Sequence, residues 1–283
     1  VMMYKWDVEE ALRLIERERV TAIAASTAMV AQLLGSPSFA IADTRSLTAV
    51  GLGGSGVTRR VVDLIEETRP NSMPGIGYGL TETNGIGTVS AGAIFRYKPT
   101  SSGVRVPIMD IRTIGPAGEP LPQGATGEIC LRGAAVMSGY WRDAEATARV
   151  LQDGWFATGD VGYMDDEGFL FVVDRIKDIV NRGGEKISTA EVESCVSRLP
   201  AVAEVAGFAL PDADLGEVLA VAVRLHPGTS LGEEAIRAHV AEHLAAFKVP
   251  ARVIFFDADL PRNPSGKLLR RTLREQVERG ENG

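Results

Sequence analysis

At 283 residues the chain is long enough for about two domains and a sizeable core, which excludes a disordered tail. Thirty basic residues against 37 acidic give a net charge of −7 with no basic block, so neither a nucleic-acid surface nor an anionic-membrane anchor is indicated, and a small-molecule partner is expected. Apolar and charged fractions are ordinary, but 31 glycines exceed the usual ~7%, so many turns demand unusual backbone conformations.

In chain order, Val8, Ala11, Leu12 and Ile15 recur at helical spacing after Asp7, an N-cap type residue, and 20–25 reads as a short buried strand. A helix over 27–34 ends at Gly35. The apolar run 47–52 leads into Gly53-Gly54-Ser55, after which Thr58 is placed to cap a helix over 59–69 that Pro70 stops. Strand and helix alternate here, the pattern of α/β architecture with a parallel sheet. From about 101 to 175 the character changes to short runs, MDIRTI, GEICLR, WFATGD and FLFVVDR, separated by GPAGEP, DG and DDEG turns, which predicts a small antiparallel β-barrel. Beyond Lys177 a compact α+β domain is expected. Ser188-Thr-Ala-Glu191 and Ser230-Leu-Gly-Glu233 read as capping boxes, 202–210 and 218–225 as strands, and the charged tail after Leu273 as frayed.

Cys130 and Cys195 lie in unrelated segments without C-x-x-C spacing, so neither a disulfide framework nor a zinc site is implied and a reducing cytoplasmic location is expected. No run of about 18 apolar residues marks an integral membrane segment. His239 and His243 stand at i, i+4, the spacing of a two-histidine metal face. No third ligand is evident in the sequence, so both read as packed or solvent-facing side chains.

Five short segments carry chemistry. Gly53-Gly54-Ser55 follows a strand and precedes a helix, where open α/β sheets receive ligands, although a plain turn has the same pattern. Tyr78-Gly79-Leu80-Thr81-Glu82 offers an aromatic face for a heterocycle, a hydroxyl for a phosphate oxygen and a carboxylate suited to Mg²⁺; the alternative is a Gly-rich loop with a capping Thr. Thr158-Gly159-Asp160 reads as a strand end whose Asp can accept two hydrogen bonds from a ribose diol, or as an ordinary turn. The run 174–186, DRIKDIVNRGGEK, packs charges and two glycines at the expected domain junction. Asn263-Pro-Ser-Gly-Lys267 presents one cation able to neutralise developing phosphate charge. The small residues Ala24, Gly51, Gly75, Gly77 and Gly85 either leave space for a bulky acyl group or pack the backbone tightly.

In order and spacing, GGS (53–55), YGLTE (78–82), GEICLRG (127–133), GYW (139–141), TGD (158–160), DRIKDIVNRGGEKI (174–187) and NPSGK (263–267) resemble the adenylate-forming, AMP-binding superfamily of acyl-CoA synthetases. A fatty or aryl acid CoA ligase is the nearest match within it. The resemblance implies an α/β partial subdomain over 1–100, a β-barrel subdomain over 101–176 and a mobile α+β domain over 177–283. It implies that Gly53, Gly54 and Ser55 line the adenine and acyl site, that Tyr78 with Gly79 packs on adenine, and that Thr81 contacts phosphate while Glu82 holds Mg²⁺. Asp160 and Arg175 would bind the ribose hydroxyls. Lys177 would be the hinge, Gly183 and Gly184 would border the pantetheine channel, and Lys267 would bridge substrate carboxylate and α-phosphate. At Lys186 many family members carry Arg, a different phosphate partner.

The implied reaction uses ATP, Mg²⁺ and CoA to turn a carboxylic acid into an acyl-AMP and then a thioester, by positioning and charge neutralisation without a protein nucleophile. An aryl-acid or amino-acid adenylating enzyme that loads a carrier protein is the alternative within the enzyme class, and a non-catalytic nucleotide- or CoA-binding module the alternative outside it. The family's Ser/Thr/Gly-rich phosphate loop has no counterpart upstream of Gly53. The chain is therefore expected to be a truncated form that adenylates weakly or not at all alone, with its oligomeric state left open.

Overall fold

In the computed structural model, residues 1–54, 56–263 and 268–280 are described. They form two compact units, Val1–Val172 and Val173–Gly283.

The first unit opens with α1 (Val8–Glu18), where the Asp7 side chain accepts the Glu10 N–H and Arg19 closes the helix in a left-handed conformation. There follow β1 (Ala22–Ser26), α2 (Thr27–Gly35), β2 (Ala49–Gly53), α3 (Arg59–Thr68), β3 (Met73–Tyr78), β4 (Thr88–Ala91), α4 (Ala93–Tyr97) and β5 (Val104–Arg105). The sheet runs β1-β2-β3-β4-β5. Its first three strands are parallel, with Ser26 opposite Gly53 and Leu52 opposite Ile76; β4 and β5 add antiparallel, so the expected parallel sheet is mixed. Val30, Leu33 and Ile65 from α2 and α3 are wholly buried with Val50 of β2. Each such side chain contributes roughly 1.5–3 kcal/mol relative to exposure. Thr58 does stand at the N-cap of α3, but its hydroxyl makes no capping bond.

The second sheet comprises β6 (Met109–Ile114), β7 (Gly127–Gly133), β8 (Leu151–Gln152), β9 (Trp155–Met164) and β10 (Leu170–Arg175), with α5 (Ala144–Val150) preceding β8. Its order is β10-β9-β7-β6, with β8 pairing β9. Among the described residues β6 and β10 are not hydrogen-bonded neighbours, so the expected barrel is an open sheet. Four principal strands are too few to curl back on themselves around packed side chains.

The second unit contains β11 (Val180–Arg182), β12 (Glu185–Ile187), α6 (Thr189–Val196), β13 (Val202–Asp212), β14 (Gly216–Leu225), α7 (Glu233–His243), β15 (Arg252–Phe255) and α8 (Arg270–Glu278). Its sheet order is β12-β11-β14-β13, with β15 parallel to β14. Side chains alternate across a strand, and β14 is covered on both faces. Leu219, Val221 and Val223 pack with Val192, Val196, Ile236 and Val240 of α6 and α7, whereas Val218, Ala220 and Ala222 pack with Leu273 and Val277 of α8.

Ser188 caps α6 through the Glu191 N–H, but the Glu191 carboxylate turns to Lys248 instead of completing a box. The second expected box does not form, because Gly232, not Ser230, is the N-cap of α7 and supplies no side-chain cap. The charged tail is helical to Glu278, anchored by buried Leu273 and Val277. Among the described residues no helix is long and apolar enough to cross a membrane.

Candidate active site

Gly53, Gly54, Tyr78, Gly79, Thr81 and Glu82 lie at or just beyond the carboxyl ends of two parallel strands. β2 ends at Gly53 and β3 at Tyr78, the edge where open α/β sheets receive ligands. Gly54 has φ +75°, and a methyl group at Gly53 or Gly54 would meet no described atom within 4 Å, so this turn leaves open space beside the strand ends. Ser55 and Lys267 lie outside the described residues.

From Tyr78 the chain folds back in a tight loop. A Cβ at Gly79 would fall 2.3 Å from the Gly85 carbonyl carbon, so a side chain there would force the loop open. Thr83, fully buried, accepts the Leu80 N–H at 3.0 Å through its hydroxyl and donates it to the Leu80 carbonyl at 3.1 Å. It is thus the threonine that holds the turn, while Thr81 is left exposed. The main chain of Glu82 accepts the Met137 N–H at 2.7 Å, and its carboxylate Oε1 accepts the Tyr140 phenol at 2.9 Å. Burial, together with that carboxylate, pushes the Tyr140 phenol above its ordinary pKa. A carboxylate has lone pairs for several partners, and one so positioned suits a hard cation that keeps most of its water.

Asp160 is not at a strand end. It lies inside β9 at a bulge: Glu128 pairs with Val161 but Cys130 with Ala157, so the strand carries extra residues opposite Ile129. The Thr158 hydroxyl donates to the Ile129 carbonyl and accepts the Asp160 N–H; Gly159, at φ +72°, donates its N–H to Glu128 Oε1 at 2.9 Å. A bulge re-aims a side chain without ending the strand. Here it brings Asp160 Oδ2 within 2.8 Å of the Tyr78 phenol oxygen, across 82 positions of sequence. Asp160 is 4% exposed.

The other candidates belong to the second unit. Arg175 ends β10, donating its N–H to Asp174 Oδ1, and Lys177 stands exposed in a 3₁₀ turn over Ile176–Asp178. Asp174 is buried and also accepts from Ser188 Oγ at 2.8 Å and from Thr189 Oγ1 and the Ala190 N–H at 3.2 Å, tying the strand end to the start of α6. Gly183 and Gly184 are the two residues of the β11–β12 hairpin, with φ of +57° and +97°, the signs a tight primed turn requires. Gly184→Ala should lower stability by roughly 1–2 kcal/mol in chemical denaturation, because the cost is conformational. Unchanged stability would mean that the glycine serves space alone.

Sequence reasoning gave no individual role to Tyr140, Glu128 or Asp174. All three lie within the motif runs GYW, GEICLRG and DRIKDIVNRGGEKI, but their partners are fixed by tertiary folding. A close-packing role suffices for Gly51, Gly75 and Gly77, where a Cβ would meet a neighbouring carbonyl oxygen at 3.2, 3.0 and 3.2 Å; at Gly85 it would meet nothing, and φ +73° is the constraint.

Residues 1–141 match the AMP-binding enzyme family, and residues 191–267 its C-terminal domain. Over 98% of its length the chain is 34% identical to 4-coumarate–CoA ligase 1 of Glycine max, covering 96% of that protein. The chain belongs to the AMP-binding enzyme family. Indoleacetate–CoA ligase of Aromatoleum aromaticum is 36% identical over 99% of the chain, which covers 54% of that protein. Among solved structures, ATP-bound MatB from Rhodopseudomonas palustris superposes with a TM-score of 0.87 at 30% identity, over 99% of this chain and 55% of that one. The chain thus spans about half the length of these last two relatives. Membership of this family bears out the resemblance and the fold class read from the motifs.

Proposed function

We propose that the chain carries the nucleotide- and thiol-handling part of an AMP-forming acid–thiol ligase acting on aryl-substituted carboxylic acids. The observation that carries this reading is the pairing of Tyr78 with Asp160 beside the open turn at Gly53 and Gly54. A buried acidic side chain there suits a ribose diol, and a tyrosine ring held by its phenol suits an adenine face. Arg175 assists at the ribose. Thr81 and Glu82 serve the phosphates, Glu82 would hold Mg²⁺, and Lys267 neutralises the α-phosphate. Lys177 is the hinge between segments 101–176 and 177–283, while Gly183 and Gly184 border the thiol channel. The bound ion supplies charge neutralisation on the polyphosphate.

In the first step a carboxylate oxygen attacks the α-phosphorus of ATP, and the bond to the bridging oxygen breaks to release pyrophosphate. In the second the CoA thiol, losing its proton, attacks the acyl carbonyl and AMP departs. The names of the relatives favour aromatic acids; CoA as acceptor and cytoplasmic location follow the same reading.

Calorimetric titration of the chain with AMP and with a non-hydrolysable 4-coumaroyl-adenylate analogue tests it. The analogue should bind at least tenfold tighter than AMP, because it engages nucleotide and acyl subsites together. Equal affinity, or no binding of either, would contradict a ligase site in this chain.

A further inference from the structure

His239 and His243, for which the sequence shows no third ligand, converge with Cys195 in the second unit. Cys195 lies near the C-terminus of α6, and His239 and His243 occupy successive turns of one face of α7. One ligating atom from each of the three lies within 4.8 Å of the others. The imidazole centroids are 4.4 Å apart with a 39° tilt. We propose that Cys195, His239 and His243 form a binding site for one borderline divalent transition ion of the Zn²⁺ class.

Three features support a ligand role over simple packing. The donor set is thiolate plus two imidazoles, the chemistry that Zn²⁺ and Co²⁺ select and hard Mg²⁺ does not. Each ring is also oriented by a main-chain carbonyl: His239 Nε2 lies 3.1 Å from the Cys195 carbonyl oxygen, and His243 Nδ1 lies 2.8 Å from that of His239. An imidazole that donates one N–H to a carbonyl keeps the lone pair of its other nitrogen for an ion, the usual outer-shell arrangement of metal-bound histidine. Finally, burial is graded, with Cys195 buried, His239 half-buried and His243 exposed, so an ion enters from the His243 side and a solvent water completes the coordination.

Binding forms the metal–sulfur bond as the thiol proton leaves to solvent. Burial holds that thiol above its ordinary pKa, an opposition that the ion's own charge overcomes. Once bound, the ion fixes α6 to α7.

Co²⁺ titration of the reduced full chain, followed by absorption, tests the site. A thiolate-to-cobalt charge-transfer band should saturate at one equivalent. It should vanish in Cys195→Ser and persist in Cys130→Ser and His226→Ala, which alter the remaining cysteine and histidine. His243→Ala removes an exposed ligand without disturbing the core and should weaken binding at least ~10-fold. Zn²⁺ should displace Co²⁺ and raise the thermal midpoint of the wild type but not of His243→Ala. Absence of the band, its survival in Cys195→Ser, or indifference of the affinity to His243→Ala would each overturn the assignment.

Discussion

Arg270→Ala should destabilise the second unit by about 3–5 kcal/mol, enough to consume much of an ordinary domain's stability. Arg270 Nη2 meets Glu193 Oε1 at 2.8 Å, its Nε donates to the Gly207 carbonyl at 3.1 Å, and its Nη1 lies 3.6 Å from Asp178 Oδ2. One guanidinium thereby joins α8, α6, β13 and the turn that contains Lys177. Burial pushes the Glu193 carboxyl above the usual carboxylate range, and the guanidinium opposes that push. Without Arg270 the carboxylate keeps the Gly207 N–H but has lost its cation. A group whose folded pKa is raised destabilises the native state above that pKa and ceases to do so as pH falls toward the unfolded value. The gap between Arg270→Ala and wild type in urea denaturation should accordingly narrow on acidification. The double substitution Glu193→Leu/Arg270→Met should recover most of the loss at pH 7, since it removes the uncompensated charge. A stability loss below about 1 kcal/mol in the single variant would show that the network is solvated and contributes little.

What could be read from sequence depended on whether the determinant was local. Helix α1 begins after Asp7 because a carboxylate accepts an N–H three residues on, and the α7 pattern failed at Ser230 because Gly232 intervened as the cap. The run 218–225 is legible as strand, but the continuous apolarity of 218–223 arises from helices on both faces, which no local period announces. The charged segment after Leu273 reads as tail until β14 supplies the surface on which Leu273 and Val277, four residues apart, are buried. The candidate site follows the same division. Glycines at 53, 54 and 79 declare themselves by type and position. The bulge that aims Asp160, the Tyr140 phenol on Glu82 and the approach of Cys195 to two histidines all depend on elements distant in sequence. The open second sheet is likewise a property of strand order, which turn-separated strand signals leave unspecified.

Asp160→Ala should weaken binding of AMP and of the acyl-adenylate analogue by about 10²–10³-fold while leaving the chain folded. Two charge-assisted hydrogen bonds to a ribose diol are worth ~1.5–3 kcal/mol each, and the lower end of that range already sums to roughly 10²-fold in affinity. Because the side chain is 4% exposed, little water is at hand to replace it. Tyr78→Phe separates this contact from the positioning of the acid: it keeps the ring and deletes the 2.8 Å bond to Oδ2. Its affinity loss should be about tenfold, the worth of one hydrogen bond to a charged group, and it should fall on AMP and the analogue alike, since both carry the ribose. In the Asp160→Ala background, adding Tyr78→Phe should cost much less, because the bond it removes has already gone. Calorimetry on the four proteins, with circular dichroism to verify folding, measures that coupling. Unchanged nucleotide affinity in Asp160→Ala would remove Asp160 from the site and leave the bulge in β9 with a purely structural role.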